Sequence, residues 1–242
     1  ATMNPFLSII IPAYNEASRL PKTLPSLRKF LEEQNFTWEV ILSDDGSTDQ
    51  TLQITSEYFG DEGLVKISSP KNRGKGSAVR QGILAAKGEI CLLSDADFST
   101  PIQDFFKLYP LIQDGYDIAI GSRSLPDSNV IVRQAWYREG MGRAFNKFVN
   151  IIVLEGFIDT QCGFKCFRRE KVTAIFEKMK IDRFSFDVEF LYLAKKMGLK
   201  ISETPVEWHN VLESRVRIVQ DSLGMLRDLF QIKINDFLGK YD

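Results

Sequence analysis

Five short apolar runs, at 6–11, 39–42, 64–67, 89–93 and 117–120, alternate with helix-like stretches through the first half of the chain. Strands spaced by helical patterns read as βαβ units, which build a mostly parallel sheet with helices on its faces. The helical signal is clearest where Leu20, Leu24, Leu27 and Leu31 recur at steps of four, three and four, marking one buried face. Residues 76–86 are small and Gly88 supplies a stop, so a helix there can lie close on a sheet. The expected fold class is α/β.

Beyond residue 120 the texture changes. Residues 121–129, with Pro126, Asp127 and Asn129, read as loop; 133–149 reads as helix, 163–167 as strand, 187–197 as helix and 200–204 as strand. No linker-like break or internal repeat interrupts the 242 residues. One domain over 1–242 is expected, with a nucleotide-binding-like half at 1–120 and an elaborated half at 121–242.

The carboxy-terminal segment is the most regular. Val219, Leu223, Leu226, Phe230, Ile234, Phe237 and Tyr241 follow helical steps, and Ile218, Met225, Leu229 and Ile232 widen the face. A strip this wide has to be covered. The expected cover is the chain's own domain, with a partner subunit or a membrane surface, met through 216–241, as alternatives. Five Lys/Arg against four Asp/Glu within 214–242 predict only weak attraction to anionic lipid.

Lys plus Arg number 31 and Asp plus Glu 32, a net charge of -1 that predicts no nucleic-acid partner. Three cysteines do not make a disulfide framework, and a reducing, cytoplasmic setting is expected. The amino end has no basic n-region and is not read as a signal peptide. The longest apolar run, 148–154, contains Asn150 and falls far short of the ~18 residues a spanning helix needs. The expectation is a soluble chain, at most peripheral on the cytoplasmic face of a membrane.

In an open parallel sheet, ligands bind beyond the carboxyl ends of the strands. Each run here ends in polar residues: Pro12 to Glu16, Ser43 to Asp49, Asn72 to Gly76, Asp95 to Asp97, and Gly121 to Arg123. Asp95 and Asp97, two carboxylates at i and i+2 after an apolar run, suit Mg²⁺ or Mn²⁺ held together with substrate phosphates; the plainer reading is an Asx turn. The stretch around Gly74, Lys75 and Gly76 fails both the P-loop and the dinucleotide fingerprint, and remains a basic, glycine-rich helix entry able to sit beside an anion. Asp44 and Asp45 exceed what a helix cap requires, so one of them is free to accept from a base or ribose. Cys162 and Cys166 do not have zinc-knuckle spacing and read as ordinary thiols. A lone His209 speaks against a Ser-His-Asp or Cys-His nucleophile system.

Taken in order, Ser8 to Glu16, Ser43 to Asp49, Asn72 to Gly76 and Asp95-Ala96-Asp97 resemble the inverting glycosyltransferases of family 2, which have the GT-A fold. Asp159 to Phe167, Phe186 to Glu189 and Ser214 to Val216 resemble the dolichyl-phosphate β-glucosyltransferase branch and, less closely, polyprenyl-phosphate mannose synthases. Ser99 stands where those synthases place a Gln. The resemblance implies that Pro12, Tyr14, Glu16, Asp45, Lys75, Asp95 and Ala96 bind the donor, with Asp45 on the uracil imide. It implies that Asp95 and Asp97 hold Mg²⁺ or Mn²⁺, and that Arg123, Arg138 and Arg215 face phosphates. Gln161 belongs to the acceptor-side motif, and Asp187 falls near the general base of relatives with hydroxyl acceptors. The implied reaction moves glucose from UDP-glucose to a polyprenyl phosphate. A hydroxyl acceptor and a non-catalytic nucleotide-sugar binder are the alternatives.

Overall fold

β1 (Leu7–Ala13) is buried along its whole length, which is why it reads as a continuous apolar run rather than an alternating one. It pairs in parallel with β2 (Trp38–Asp44) on one side and β4 (Ile90–Leu93) on the other. β3 (Leu64–Ser68) extends the sheet beyond β2. Past β4 come β7 (Lys165–Arg168), β5 (Ile118–Ser122) and β8 (Ile201–Pro205), giving the order β3-β2-β1-β4-β7-β5-β8. Only β7 runs against its neighbours. The computed structural model describes residues 4–60, 63–132, 136–209 and 218–242.

Alternate residues of β1 point to opposite faces and so serve two cores. Leu7, Ile9 and Ile11 pack with Leu20, Leu24, Leu27 and Leu31 of α1 (Leu20–Glu32) and with Phe105 and Leu108 of α4 (Phe105–Gln113). Ile10 packs on the other face with α3 (Lys75–Ala85), α6 (Arg169–Lys178) and α7 (Phe186–Lys196), in a core that also takes in α5 (Trp136–Ile152) and α8 (Ile218–Phe237). α2 (Thr51–Phe59) begins without a side-chain cap and shows no strong stripe, so its sequence announces little beyond a helix entry.

The five expected strands form, shifted by a residue or two at their ends. The stretch 121–129, expected as loop, ends where β6 (Asn129–Val132) begins; β6 pairs in parallel with β9 (Glu207–His209) apart from the main sheet. β4 and β7 are as short but announce themselves as buried, mostly apolar runs; β6 and β9 offer neither such a run nor enough alternation to be read. No described helix is long and apolar enough to cross a membrane.

The expectation for the last helix is overturned in part. α8 buries Leu229, Ile232 and Asn235, with Met225 and Leu226 partly covered. The expected face thus divides: Tyr241 is buried with Leu229 and Ile232, whereas Leu223 is 66%, Phe230 56%, Ile234 50% and Phe237 90% exposed. Polar ties set the rotation. Tyr241 donates to Glu189 of α7 at 2.6 Å, and Asp236 accepts from Tyr192 and Lys196 of the same helix. Turning the apolar stripe inward would break these bonds.

Candidate active site

The chain runs outward from β1 through β2 and β3, then crosses back to β4 on the other side of β1. At such a switch point the departing loops diverge and leave a crevice. A cavity of about 790 Å³ lies there. Pro12, Tyr14, Glu16 and Arg19 line it from the end of β1, Asp45 from β2, Asn72, Gly74 and Lys75 from the entry to α3, and Asp95, Ala96 and Asp97 from β4. Every residue expected to bind donor or metal is thus on its wall. The second half of the chain adds Arg183, Phe184 and Asp221.

Two neighbouring loops are laced together. Asn15 adopts a positive φ of 53°, tolerable for Asn, and its carboxamide oxygen accepts from Thr48 N–H at 2.7 Å. Its own N–H donates to Ser47 Oγ at 2.8 Å. The adjacent acids of β2 divide their work. Asp44 accepts from the Ser47 amide and from Ser68 Oγ, holding its own turn. Asp45 accepts the amides of Arg73 and Gly74 at 2.9 and 2.8 Å, pinning the entry to α3 beneath the cavity. Burial pushes the Asp45 carboxyl up, against those two amides, which favour its ionised form. A carboxylate has about four acceptor positions, so Asp45 keeps capacity for a ligand donor. Gly74 has a φ of 125°, and a Cβ there would lie 2.4 Å from the Asp182 carbonyl oxygen, so this close approach needs glycine.

Lys75 and Asp95 meet at 2.6 Å across the cavity floor. Burial alone would raise Asp95, but the Lys75 ammonium, with Lys165 and Arg123 behind it, holds it below the usual carboxylate range. Burial would likewise lower Lys75; Asp95, Asp187 and Asp97 together raise it instead. Asp97 behaves oppositely to Asp95: burial and the neighbouring Asp95 charge push it up, although the Ser99 amide donates to it at 3.0 Å. The Asx turn foreseen as the plainer reading therefore exists at Asp97, and still leaves a like-charged carboxylate pair. No described cluster of three or more His, Cys, Asp or Glu could hold a metal by itself. Two carboxylates in an oxygen-only set fit a hard divalent cation that completes its shell with water and phosphate oxygens. Gly163 backs this pair: a Cβ there would fall 2.2 Å from Asp95 Oδ2.

The residues expected around the acceptor are placed differently. Asp187 is buried at the start of α7 and accepts from the fully buried Lys165 at 2.5 Å; it is not on the cavity wall. Burial pushes its carboxyl up while Lys165 and Lys75 pull it down. Lys165 also donates to the Cys162 carbonyl. Arg123 grips Asp159 through two side-chain bonds of 2.7 and 2.9 Å, and its own amide donates to the same carboxylate. Gln161 donates its amide to Asp159 as well, at 3.3 Å. The Arg138 side chain and all of Arg215 lie outside the described residues. Cys91, Cys162 and Cys166 are buried and unpaired, with thiols pushed up by burial, Cys91 to about 12 and Cys162 to about 11.

Sequence reasoning missed Arg19, Arg183, Phe184 and Asp221 on the wall, and Lys165 behind it. Lys165 had a signal, a lone cation within the expected strand 163–167, which calls for a buried counter-charge. Arg183 had none, because only the tertiary fold brings its loop to the cavity.

Residues 8–176 match glycosyl transferase family 2. The chain is 38% identical to a dolichyl-phosphate beta-glucosyltransferase of Dictyostelium discoideum, over 98% of this chain and 76% of that protein. The proteins of the same name from Homo sapiens and Saccharomyces cerevisiae are 35% and 36% identical, over 97% and 98% of this chain and 77% and 76% of their own lengths. Among solved structures, glucosyl-3-phosphoglycerate synthase from Mycobacterium tuberculosis, in complex with Mn²⁺, UDP and glucosyl-3-phosphoglycerate, superposes with a TM-score of 0.67. It is 20% identical and covers 96% of this chain and 79% of its own. Mannosyl-3-phosphoglycerate synthase from Rubrobacter xylanophilus gives 0.70 at 17% identity, over 98% and 75%. These structural matches share the GT-A fold seen here. The family model spans more than half of the chain and the relatives cover nearly all of it, and the chain belongs to the family 2 glycosyltransferases, in the branch of the dolichyl-phosphate β-glucosyltransferases.

Proposed function

We propose that the enzyme transfers glucose from UDP-glucose to a polyprenyl phosphate of the dolichyl type, with inversion at the sugar's anomeric carbon. The observation that carries this reading is the agreement, along nearly the whole chain, with dolichyl-phosphate beta-glucosyltransferases of several organisms. The cavity supports it. Tyr14 and Asp45 offer a stacking surface and an acceptor for a nucleobase, while Lys75, Arg19 and Arg183 supply positive charge for a diphosphate. Asp95 and Asp97 would hold Mg²⁺ or Mn²⁺, whose chemistry there would be to neutralise charge on the leaving diphosphate.

The reaction is a single displacement. An acceptor phosphate oxygen forms a bond to the anomeric carbon from one face as the bond to UDP breaks on the other. A phosphate monoester has a second pKa of about 6, so the nucleophile arrives ionised at neutral pH. No general base is then required, which accords with Asp187 being held in an ion pair with Lys165. A hydroxyl acceptor would need a base at that position. Three buried, unpaired thiols support a reducing, cytoplasmic setting.

The test is UDP release from UDP-glucose with Mg²⁺, with and without a short-chain polyprenyl phosphate, with Asp97→Asn as the blank. Release that depends on the lipid phosphate is expected. Slow hydrolysis indifferent to the lipid would reject the acceptor.

A further inference from the structure

α7 opens with two acids, Asp187 and Glu189, which are satisfied in different ways. Asp187 has the Lys165 ammonium at 2.5 Å. Glu189 is fully buried and is held by neutral donors. One of its oxygens accepts the Lys180 amide at 2.9 Å and the Tyr241 hydroxyl at 2.6 Å; the other accepts the Ile181 amide at 2.9 Å. Burial pushes the carboxyl up, while Tyr241 and the two amides favour its charged form. A buried carboxylate is costly unless its bonds are made, and here two of them go to successive peptides of one loop. The isosteric carboxamide has a single acceptor and would turn its N–H₂ toward one of the two amides. The fork therefore calls for an acid.

That loop supplies a wall of the cavity. Asp182 ties it to α3: its carbonyl accepts from Ser77 at 3.0 Å, and its carboxylate accepts from Arg73 and Arg80. Gly76 lets the two backbones touch, since a Cβ there would lie 2.6 Å from the Ile181 carbonyl oxygen. The next two residues, Arg183 and Phe184, turn onto the cavity wall. Arg183 is exposed, so its aim depends on how the backbone launches it rather than on packing. Asp182 fixes that backbone from the α3 side and Glu189 from the α7 side. We infer that Glu189 is a positioning residue for the donor, aiming Arg183 at the diphosphate through the Lys180 and Ile181 amides, with Tyr241 completing the fork. The inference rests on the reading of the cavity as a UDP-sugar site and adds a residue outside its wall on which donor binding depends. It also links α8 to the donor twice, directly through Asp221 of its first turn and indirectly through Tyr241 beyond its end.

The test is calorimetry of UDP with Mn²⁺ in a double-mutant cycle between Glu189→Gln and Arg183→Ala, at a temperature where circular dichroism shows every variant folded. Arg183→Ala should weaken UDP about tenfold, the size of one charge-assisted bond, and Glu189→Gln roughly three- to tenfold. The two losses should not multiply: once Arg183 is gone, Glu189→Gln should add no more than about twofold. A residue that only stabilises the fold would weaken UDP by the same factor in both backgrounds, or in neither, and either result overturns the inference. Where Glu189→Gln does not fold, Tyr241→Phe takes its place in the cycle, with an expected loss of about threefold that vanishes without Arg183. Tyr192→Phe is the control, because it removes a bond from α7 to Asp236 of α8 and leaves the fork intact. Its UDP affinity should match the wild type; a loss equal to that of Tyr241→Phe would trace the effect to a loosened helix pair and reject the inference. A wild type that binds no UDP rejects the donor reading and the inference with it. One that shows the expected coupling yet transfers no sugar to a polyprenyl phosphate rejects the acceptor alone and supports the inference.

Discussion

Asp95 and Asp97 stand two residues apart and are driven in opposite directions. Lys75 lies 2.6 Å from Asp95 and holds it down, whereas at Asp97 burial and the like-charged Asp95 outweigh Ser99 and Lys75, with Arg19 3.9 Å away. A divalent cation relieves that repulsion, so binding it favours the ionised form of Asp97. Because the carboxyl of Asp97 is raised, acidification should weaken Mn²⁺ affinity beginning above the ordinary carboxylate range, measured by calorimetry in the presence of UDP. Asp97→Asn should lower turnover roughly 10²–10³-fold while leaving the melting temperature unchanged; full activity would reject its part in holding the metal. Asp159 is a different case. Burial opposes its charge, but Arg123 holds its carboxyl below the usual range in the folded state. A depressed folded-state value means stability that is present above the unfolded carboxylate's pKa and is lost as pH falls through the folded one. Asp159→Asn should cost about 3 kcal/mol at neutral pH, since it strands a largely buried guanidinium. In urea titrations that difference should shrink toward zero in acid. A constant difference across pH would show that the pair contributes through shape alone.

At the scale of elements, legibility followed length and burial. β1, β2 and α1 were readable because each presents a long, uninterrupted pattern: seven buried residues in β1, and four leucines on one face of α1. The short strands β6 and β9 and the uncapped α2 have too few residues or too weak a stripe for local sequence to declare them. The sequence marks α8 as a helix with one wide apolar face, of which only the part around Leu229, Ile232 and Tyr241 is covered, because periodicity reports that an apolar face exists and not which part of it meets the core. Bonds from Tyr241 and Asp236 to α7 settle the direction. Paired truncations test that rotation. Leu229→Ala and Ile232→Ala should each cost about 2–4 kcal/mol by opening a cavity in the core. Leu223→Ala and Ile234→Ala, at the stripe that periodicity alone would bury, should each stay within about 0.5 kcal/mol in chemical denaturation. The larger cost at Leu223 and Ile234 would mean that the helix sits the other way round, and equal costs that both faces are covered.

For the molecule as a whole, the first half was the legible part of the site because a parallel sheet delivers the ends of its strands to one edge, and those ends are contiguous in sequence. What the second half contributes to the cavity arrives through tertiary packing. Asp182 accepts from Arg73 and Arg80, which anchors the loop carrying Arg183 and Phe184 beside the entry to α3. Asp221 comes from the first turn of α8. A ligand in this cavity therefore touches both halves and should tie them together. UDP with Mn²⁺ at about a hundred times its Kd should stabilise the fold by about 2.7 kcal/mol and raise the melting temperature by a few degrees. Hydrogen exchange distinguishes a cavity closed from both sides from one served by the sheet alone. Slowed exchange is expected at 12–16, 45–49 and 72–78, and equally at 181–186 and 219–223. Protection confined to the first three segments would place the nucleotide wholly on the sheet edge, and would remove Arg183 and Asp221 from the binding surface.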